Sequence, residues 1–314
     1  MGKIAFLFPG QGSQYPGMGK TIYENFPVAK DFFDKACEAL DFDLKKMCFE
    51  GDAKELARTE YTQACLVAIE VMILKVIQEL GIKPDIVAGL SLGEYTALVA
   101  AGAIDAIDAI KLVRTRGILM ANALPAATTA MSAVLGLDSE ILATACREGS
   151  NFGIVEIANY NCPNQVVIGG ELKAVEEASK IALQLGARKI IPLNVSGAFH
   201  TSLLADAGTR LKAELQKIEI RDLGIPVIFN LTANYQDRPI IDLLEKQISS
   251  AVKFEESIKM MLKDGVTDFI EIGPGSVLSG FVKKTEKKAE VSNIEDLGGV
   301  ERLVAKYGGI KDGK

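Results

Sequence analysis

The stretch DIVAGLSLGEYTALVAAG, from Asp85 to Gly102, joins a short β-type run to a helical pattern through the glycine-flanked serine Ser91. Its centre fits G-x-S-x-G, and the strand–turn–helix context is the one that a nucleophile elbow requires. Glycines two residues before and after the serine allow a tight turn without Cβ clashes. The stretch therefore predicts an α/β fold with Ser91 as a nucleophile at a helix N-terminus, where N–H groups favour developing negative charge.

Short β-type runs alternate with longer helical patterns on both sides of this stretch, which predicts a mostly parallel sheet covered by helices. The runs KIAFLFPG, PVIFNLT and TDFIEIG indicate further strands, and CLVAIEVMILKVIQELG indicates a buried helix. From about residue 128 the order of elements changes to β-α-β-β-α-β, which is typical of a ferredoxin-like unit. We expect residues 128–196 to form a small ferredoxin-like domain, inserted into a large α/β domain of residues 1–127 and 197–314.

Composition restricts the class of protein. The 314 residues carry a formal net charge of −6, and this mild acidity argues against general nucleic-acid binding. The apolar run near the N-terminus is too short for a signal peptide or a membrane span. Five widely spaced cysteines without a C-x-x-C pair indicate reduced thiols rather than a disulfide framework or a zinc site. We expect a cytoplasmic monomer that binds no metal, nucleic acid or membrane.

A glycine-rich loop, FPGQGSQYPGMGKT, follows the first predicted strand. It fails the Walker A pattern because Gln14 replaces the first glycine, and it fails the dinucleotide pattern because Tyr15 replaces the last one. The loop nevertheless follows the carboxyl end of a strand, where open α/β sheets bind their ligands. A plain glycine turn is the alternative interpretation.

A serine hydroxyl is a poor nucleophile until a base accepts its proton. His200 is the only histidine in the chain, so it is the candidate base, although a buried structural histidine is the other interpretation. Asp206 is a weak candidate for the acid that would orient the ring, and a carbonyl oxygen could take that role instead. An oxyanion hole would combine the main-chain N–H of Leu92 with one from the glycine loop around Gln11.

The motifs GQGSQ, GLSLGEYTAL, RTRGILM, GAFH and EIGPG occur in this order over nearly the whole chain. Together they closely resemble the malonyl-CoA:acyl carrier protein transacylases, and the similarity extends to the acyltransferase domains of polyketide synthases and fatty-acid megasynthases. The resemblance implies a hydrolase-like α/β core that carries a ferredoxin-like insert. It also implies malonyl transfer from malonyl-CoA to the phosphopantetheine thiol of acyl carrier protein through a malonyl-serine, without a cofactor. A free-standing chain favours fatty-acid biosynthesis over a polyketide pathway.

The resemblance also assigns roles to residues. Ser91 matches the acylated serine and His200 matches the base. Gln11 and Leu92 match the positions whose main-chain N–H groups form the oxyanion hole. Arg116 in RTRG matches the arginine that binds the malonyl carboxylate.

Two further matches concern the surroundings of the histidine. Gln247 matches by position the residue whose backbone carbonyl orients the ring. Phe199, the residue before the histidine in GAFH, is similar to the residue at this position in the malonyl-selecting form of the motif in polyketide acyltransferases. Leu90 departs from the family pattern, which usually has a second histidine before the nucleophile. Arg114, two residues before the matched arginine, is interpreted as a surface residue on a helix.

Three alternatives use the same residues differently. A serine hydrolase or thioesterase would share the serine, the histidine and the oxyanion hole, and only exclusion of water would separate it from a transferase. A patatin-like lipase would need a Ser–Asp pair, for which Asp264 is the nearest candidate. A non-catalytic adaptor for carrier proteins would form no acyl-serine.

Overall fold

The computed structural model describes residues 2–125, 127–195 and 197–308. The chain divides into two compact units: the first comprises Met1–Gly117, Ile218–Ile228 and Met261–Lys314, and the second comprises Ile118–Lys217 and Phe229–Met260. Three boundary residues of the predicted domains, 1, 196 and 314, lie outside the described residues. The predicted domain of residues 128–196 stays a prediction.

The strands and helices of the described residues follow one another along the chain. In order they are β1 (Lys3–Phe8), α1 (Lys20–Asn25), α2 (Pro27–Glu38), α3 (Leu44–Glu50), α4 (Ala53–Leu56), α5 (Thr59–Glu79), β2 (Ile86–Gly89), α6 (Gly93–Ala100), α7 (Ala106–Ala121), β3 (Thr129–Leu135), α8 (Ser139–Gly149), β4 (Val155–Cys162), β5 (Gln165–Glu171), α9 (Leu172–Gln184), β6 (Lys189–Pro192), α10 (Ala205–Leu215), β7 (Val227–Ile228), α11 (Ile240–Gln247), β8 (Val252–Lys253), α12 (Phe254–Lys263), β9 (Val266–Ile272), α13 (Val277–Thr285), β10 (Glu290–Ile294) and α14 (Leu297–Tyr307).

The first unit contains a parallel sheet with the strand order β10-β9-β1-β2-β7. Strands β1 and β2 are neighbours in register, with Phe8 opposite Gly89. Four consecutive residues of β1, 5–8, are fully buried, as expected for a strand covered on both faces of its sheet. The predicted α/β class with a mostly parallel sheet is confirmed. The pairing also brings the loops that follow β1 and β2 to the same edge of the sheet.

The second unit contains a sheet with the order β6-β3-β5-β4-β8, in which β3 and β5 pair antiparallel with their neighbours and β8 joins β4 in parallel. Helices α8 and α9 pack their apolar faces against it in a cluster that includes Val134, Leu142, Ile168 and Ala178. The order β3-α8-β4-β5-α9-β6 agrees with the predicted order of elements. The hydrolase-like and ferredoxin-like assignments stay predictions.

Two elements differ from their predicted extents. The buried helix α5 begins at Thr59, six residues before the apolar run that indicated it. The strand expected from PVIFNLT is only Val227–Ile228. It ends there because Phe229 enters a turn, in which its N–H donates to the carbonyl of Asn234 and its carbonyl accepts from Ala233. Within the described ranges, the helices are all too short or too polar to cross a membrane.

Candidate active site

Ser91 occupies the turn between β2 and α6 with a φ of 51°, a left-handed conformation that is uncommon for a residue with a side chain. The two glycines of the motif are needed because backbone approaches them closely. A Cβ at Gly89 would lie 1.9 Å from the carbonyl carbon of Gly93, and one at Gly93 would lie 2.0 Å from the carbonyl oxygen of Phe8. Close packing of β1, β2 and α6 therefore holds the strained serine at the turn.

The predicted oxyanion-hole residues Gln11 and Leu92 lie after the paired strands β1 and β2, respectively. Leu92 is buried and is the N-cap residue of α6, while Gln11 lies in the glycine loop after β1. The loop packs on the turn, because a Cβ at Gly10 would lie 2.6 Å from the carbonyl oxygen of Leu90. The side chain of Gln11 donates from Nε2 to Oγ1 of Thr59, at 3.0 Å. The structure thus brings both predicted oxyanion-hole residues to the edge of the sheet that carries Ser91.

Arg116 lies on α7 and is 1% exposed. Its Nη2 donates to Oγ of Ser91 at 3.1 Å, and its Nη1 donates to Oε1 of Gln63 at 2.8 Å. Its guanidinium carbon lies over the ring of Tyr95, 5.4 Å from the centroid. Burial lowers the pKa of Arg116 from its usual value, but an arginine keeps its charge at any working pH. A fixed cation therefore lies within hydrogen-bond distance of the candidate nucleophile.

Thr59 and Gln63 also contact the candidate site, and the sequence motifs did not indicate them. Both are buried on α5, one helical turn apart and therefore on one face. Thr59 accepts from Gln11 in the glycine loop, and Gln63 accepts from Arg116. The available signal was a pair of polar residues at the i, i+4 spacing just before an apolar helical run.

Arg114 is not the plain surface residue that the sequence indicated. It forms an ion pair with Asp41 at 3.0 Å, and its guanidinium lies over the rings of Phe42 and Tyr61 at 5.0 and 4.8 Å. Its Nη1 also donates to the carbonyl of Glu60. Arg114 is a packing residue because its fork lies over two aromatic rings, which also contact each other edge to face.

His200 lies in the second unit, is 4% exposed, and has a φ of 61°. Its Nδ1 lies 2.8 Å from the carbonyl oxygen of Gln247, and its main-chain N–H donates to the carbonyl of Ile248 at 3.1 Å. Because a carbonyl oxygen only accepts, this contact requires the hydrogen on Nδ1, and the neutral ring then has its lone pair on Nε2. The partner of Nδ1 is thus a main-chain carbonyl and not the carboxylate of Asp206.

The segment that carries His200 is held by contacts inside the second unit. Phe199 is 6% exposed, and its N–H donates to the carbonyl of Gly197. Thr201 donates from Oγ1 to the carbonyl of Ala198 at 2.7 Å. The N–H of Ser202 donates to the Glu156 carboxylate at 2.8 Å. These bonds stabilise the left-handed backbone at His200.

The predicted site residues divide between the units. Gln11, Ser91, Leu92 and Arg116 belong to the first unit, whereas Phe199, His200 and Gln247 belong to the second. Among the residues that the structure describes, no group of three or more histidine, cysteine and carboxylate side chains is arranged to hold a metal ion. The first unit therefore contains the candidate serine nucleophile, the two candidate oxyanion-hole residues and a buried cation.

Comparison with known proteins identifies similar chains. The family model described as the acyl transferase domain matches residues 5–307. The malonyl CoA-acyl carrier protein transacylase of Bacillus subtilis is 47% identical over 307 residues, which are 97% of each chain.

Solved structures give the same result. A crystal structure of malonyl CoA-acyl carrier protein transacylase from Clostridium perfringens has a TM-score of 0.95 and 42% identity, and covers 98% of both chains. A malonyl-transacylase in complex with its type II PKS acyl-carrier protein has a TM-score of 0.94 and 37% identity, with 97% of this chain and 99% of that chain covered.

Proposed function

Because this chain belongs to the acyl transferase family, we propose that it transfers the malonyl group of malonyl-CoA to the phosphopantetheine thiol of acyl carrier protein. The reaction supplies malonyl units for fatty-acid biosynthesis. It proceeds in two half-reactions through a malonyl ester on Ser91, so its kinetics are ping-pong. The proposed chemistry is acyl transfer between a serine and two thiols, and it uses no cofactor.

The contact between Arg116 and Ser91 is the observation that carries this proposal. In malonyl-CoA the carboxylate carbon is two carbon–carbon bonds from the thioester carbonyl, so a group that acylates Oγ brings its carboxylate close to the same serine. A buried guanidinium 3.1 Å from that oxygen is the complementary cation, and arginine binds a carboxylate through two parallel N–H donors. An acetyl group would leave this buried charge without its carboxylate, which favours malonyl over acetyl.

In the first half-reaction, Oγ of Ser91 attacks the thioester carbon while Nε2 of His200 accepts the hydroxyl proton. Arg116 uses Oγ as an acceptor, so this hydrogen bond does not engage the hydroxyl hydrogen that the base removes. The oxyanion is stabilised by the main-chain N–H groups of Gln11 and Leu92, each worth on the order of 10²–10³ in rate. The C–S bond then breaks, and His200 returns the proton to the leaving thiolate of coenzyme A.

In the second half-reaction, His200 accepts the proton of the phosphopantetheine thiol, whose sulfur attacks the malonyl-serine. Collapse of the second oxyanion releases Ser91, which recovers its proton from His200. The Gln247 carbonyl holds Nδ1, so it favours the tautomer that this proton transfer needs at Nε2 and stabilises the imidazolium. Phe199 is proposed to shape the acyl pocket next to the base.

The finer structural assignments are part of the same proposal. We propose that the parallel sheet belongs to a hydrolase-like core and that residues 128–196 form an inserted ferredoxin-like domain. Support comes from the strand order β6-β3-β5-β4 of the second sheet. The five thiols, free of disulfides among the described residues, support a cytoplasmic location.

The intact mass of the protein tests the proposal. Incubation with malonyl-CoA should add one malonyl group to the wild type and none to Ser91→Ala, while acetyl-CoA should give little adduct. Addition of phosphopantetheinylated acyl carrier protein should then remove the malonyl group from the enzyme and place it on the carrier. Release of free coenzyme A without an adduct or a loaded carrier would instead identify a thioesterase. No adduct and no released coenzyme A would favour the non-catalytic adaptor.

A polyketide pathway is the second candidate. It is favoured by the similarity to a malonyl-transacylase in complex with a type II PKS acyl-carrier protein. The chemistry of the two candidates is the same and the carriers differ. Discharge rates of the malonyl-enzyme onto a fatty-acid carrier and a polyketide carrier, measured side by side, separate them.

A further inference from the structure

Tyr95 is a buried aromatic residue beside the candidate site that the mechanism above does not use. It lies on α6, the helix that follows Ser91, and is fully buried. The guanidinium carbon of Arg116 lies over its ring, 5.4 Å from the centroid. This separation is within the range in which an aromatic ring attracts a cation.

Contacts with Gln63, Ser91 and Tyr95 restrict the Arg116 guanidinium in different ways. Gln63 and Ser91 accept hydrogen bonds from Nη1 and Nη2, and such bonds act in the plane of the fork. The Tyr95 ring acts on the guanidinium through its π face. Because Arg116 is 1% exposed, water does not compete strongly with this contact, and a desolvated cation–π pair is stronger than an exposed one.

The pKa shifts of Arg116 and Tyr95 describe a buried cation beside a buried phenol. Burial lowers the pKa of Arg116, and the neighbouring Tyr95 and Glu94 act against that shift. Burial also raises the pKa of the Tyr95 hydroxyl to about 12, despite the opposing effect of Arg116. The phenol is therefore neutral at physiological pH, so the guanidinium faces an uncharged aromatic ring.

We propose that Tyr95 is a positioning residue for malonyl selectivity, which holds the Arg116 guanidinium through its ring face so that the fork meets the carboxylate of the acyl group. The inference rests on the proposed function, because it assigns to Arg116 the malonyl carboxylate. Tyr95 itself contacts no reacting atom in this scheme. Its contribution is selective, because only an acyl group with a carboxylate uses the arginine that it holds.

The ratio of kcat/KM for malonyl-CoA to kcat/KM for acetyl-CoA measures this contribution. Tyr95→Met removes the ring but keeps an unbranched apolar side chain with good helix propensity. We expect the ratio to fall on the order of tenfold in Tyr95→Met, since a desolvated cation–π contact is lost. Tyr95→Phe keeps the ring face and should retain far more of the ratio. Arg116→Ala, measured in parallel, sets the ratio that remains when the carboxylate has no partner.

A second series of variants keeps the shape of the side chain at position 95 and changes only the electron density of its aromatic ring. Phenylalanine and its increasingly fluorinated analogues at position 95 have similar volumes, but fluorine withdraws the electron density that attracts the cation. The ratio should fall stepwise with fluorination. This series is informative even if Tyr95→Met fails to fold.

Four outcomes would overturn the inference. Equal losses for both substrates in Tyr95→Met would assign Tyr95 to packing alone. A ratio that does not change with fluorination would remove the cation–π contact from the explanation, and a loss in Tyr95→Phe as large as in Tyr95→Met would transfer the effect to the hydroxyl. If Arg116→Ala also leaves the ratio unchanged, then the proposed role of Arg116 fails first, and the role of Tyr95 fails with it.

Discussion

Nη2 of Arg116 donates to Oγ of Ser91 at 3.1 Å, so the candidate substrate-binding cation and the candidate nucleophile are hydrogen-bonded to each other. The two residues lie on different elements, Ser91 at the turn before α6 and Arg116 on α7. In the proposed mechanism, the malonyl carboxylate replaces Oγ of Ser91 as the partner of Arg116, so this contact would couple selectivity to reactivity.

Arg116→Ala should lower kcat/KM for malonyl-CoA on the order of 100-fold, because the carboxylate loses its buried partner. Acetyl transfer should be kept or increased, since the uncompensated charge is gone. Steady-state rates with both substrates measure the effect. Arg114→Ala is the matched control, because Arg114 lies on the same helix and pairs with Asp41. It should lower the melting temperature without changing the substrate preference. Undiminished malonyl transfer in Arg116→Ala would show that the role is wrong.

Thr59→Val should lower the rates with malonyl-CoA and acetyl-CoA together. The change keeps the shape of the side chain but removes the Oγ1 that accepts from Gln11, and a partly buried hydrogen bond of this kind is worth about 3- to 10-fold. Both substrates need the oxyanion hole, so their ratio should hold. Thr59→Ser keeps the hydroxyl and should recover most of the activity, and a shift in the ratio would contradict the link to Gln11.

Glu70→Gln should change how stability depends on pH. Glu70 is fully buried on α5, where burial raises the pKa of its carboxyl well above the usual value; Glu271 on β9 adds to the shift, and the hydrogen bond from Thr96 on α6 opposes it. The folded state then holds a proton that the unfolded chain releases, so the free energy of unfolding decreases as pH rises above the ordinary carboxyl range. The slope is about 1.4 kcal/mol per pH unit until the folded-state pKa is reached.

The Glu70→Gln variant, which has no proton to lose at this position, should lack that decrease. Denaturant unfolding of both proteins from pH 5 to pH 9 gives the comparison. The variant should gain stability relative to the wild type as pH increases, and parallel curves would refute a raised pKa at Glu70.

Gly93→Ala should destabilise the protein by more than about 2 kcal/mol and abolish acylation. The added Cβ would lie 2.0 Å from the carbonyl oxygen of Phe8, so β1 and α6 would have to separate at the turn that holds Ser91. Gly280→Ala is the control, because a Cβ there meets nothing within 4 Å on an exposed face of α13. It should stabilise the protein by about 0.5–1 kcal/mol. Thermal unfolding of both variants distinguishes crowding from helix propensity.

The sequence alone determined the fold class and the family of this protein. Hydrophobic period and glycine positions indicated β1, β2, β7 and β9 of the parallel sheet and the serine turn, because they report local conformation and the burial of each face; strand β10 at the edge of that sheet was not predicted. The single histidine restricted the choice of base. Where tertiary contacts compete with local preference, the sequence was less accurate, as at Phe229, whose turn ends the strand expected from PVIFNLT.

Only the tertiary structure decided which side chains support those residues. Gln63 and Arg116 are 53 residues apart and meet through packed helices, and the Gln247 carbonyl meets His200 across 47 residues. The ring of Tyr95 lies against Arg116 in the same way. Periodicity reports that a helix face is buried, but the partner of each side chain depends on how neighbouring elements rotate and pack, which is a property of the whole fold.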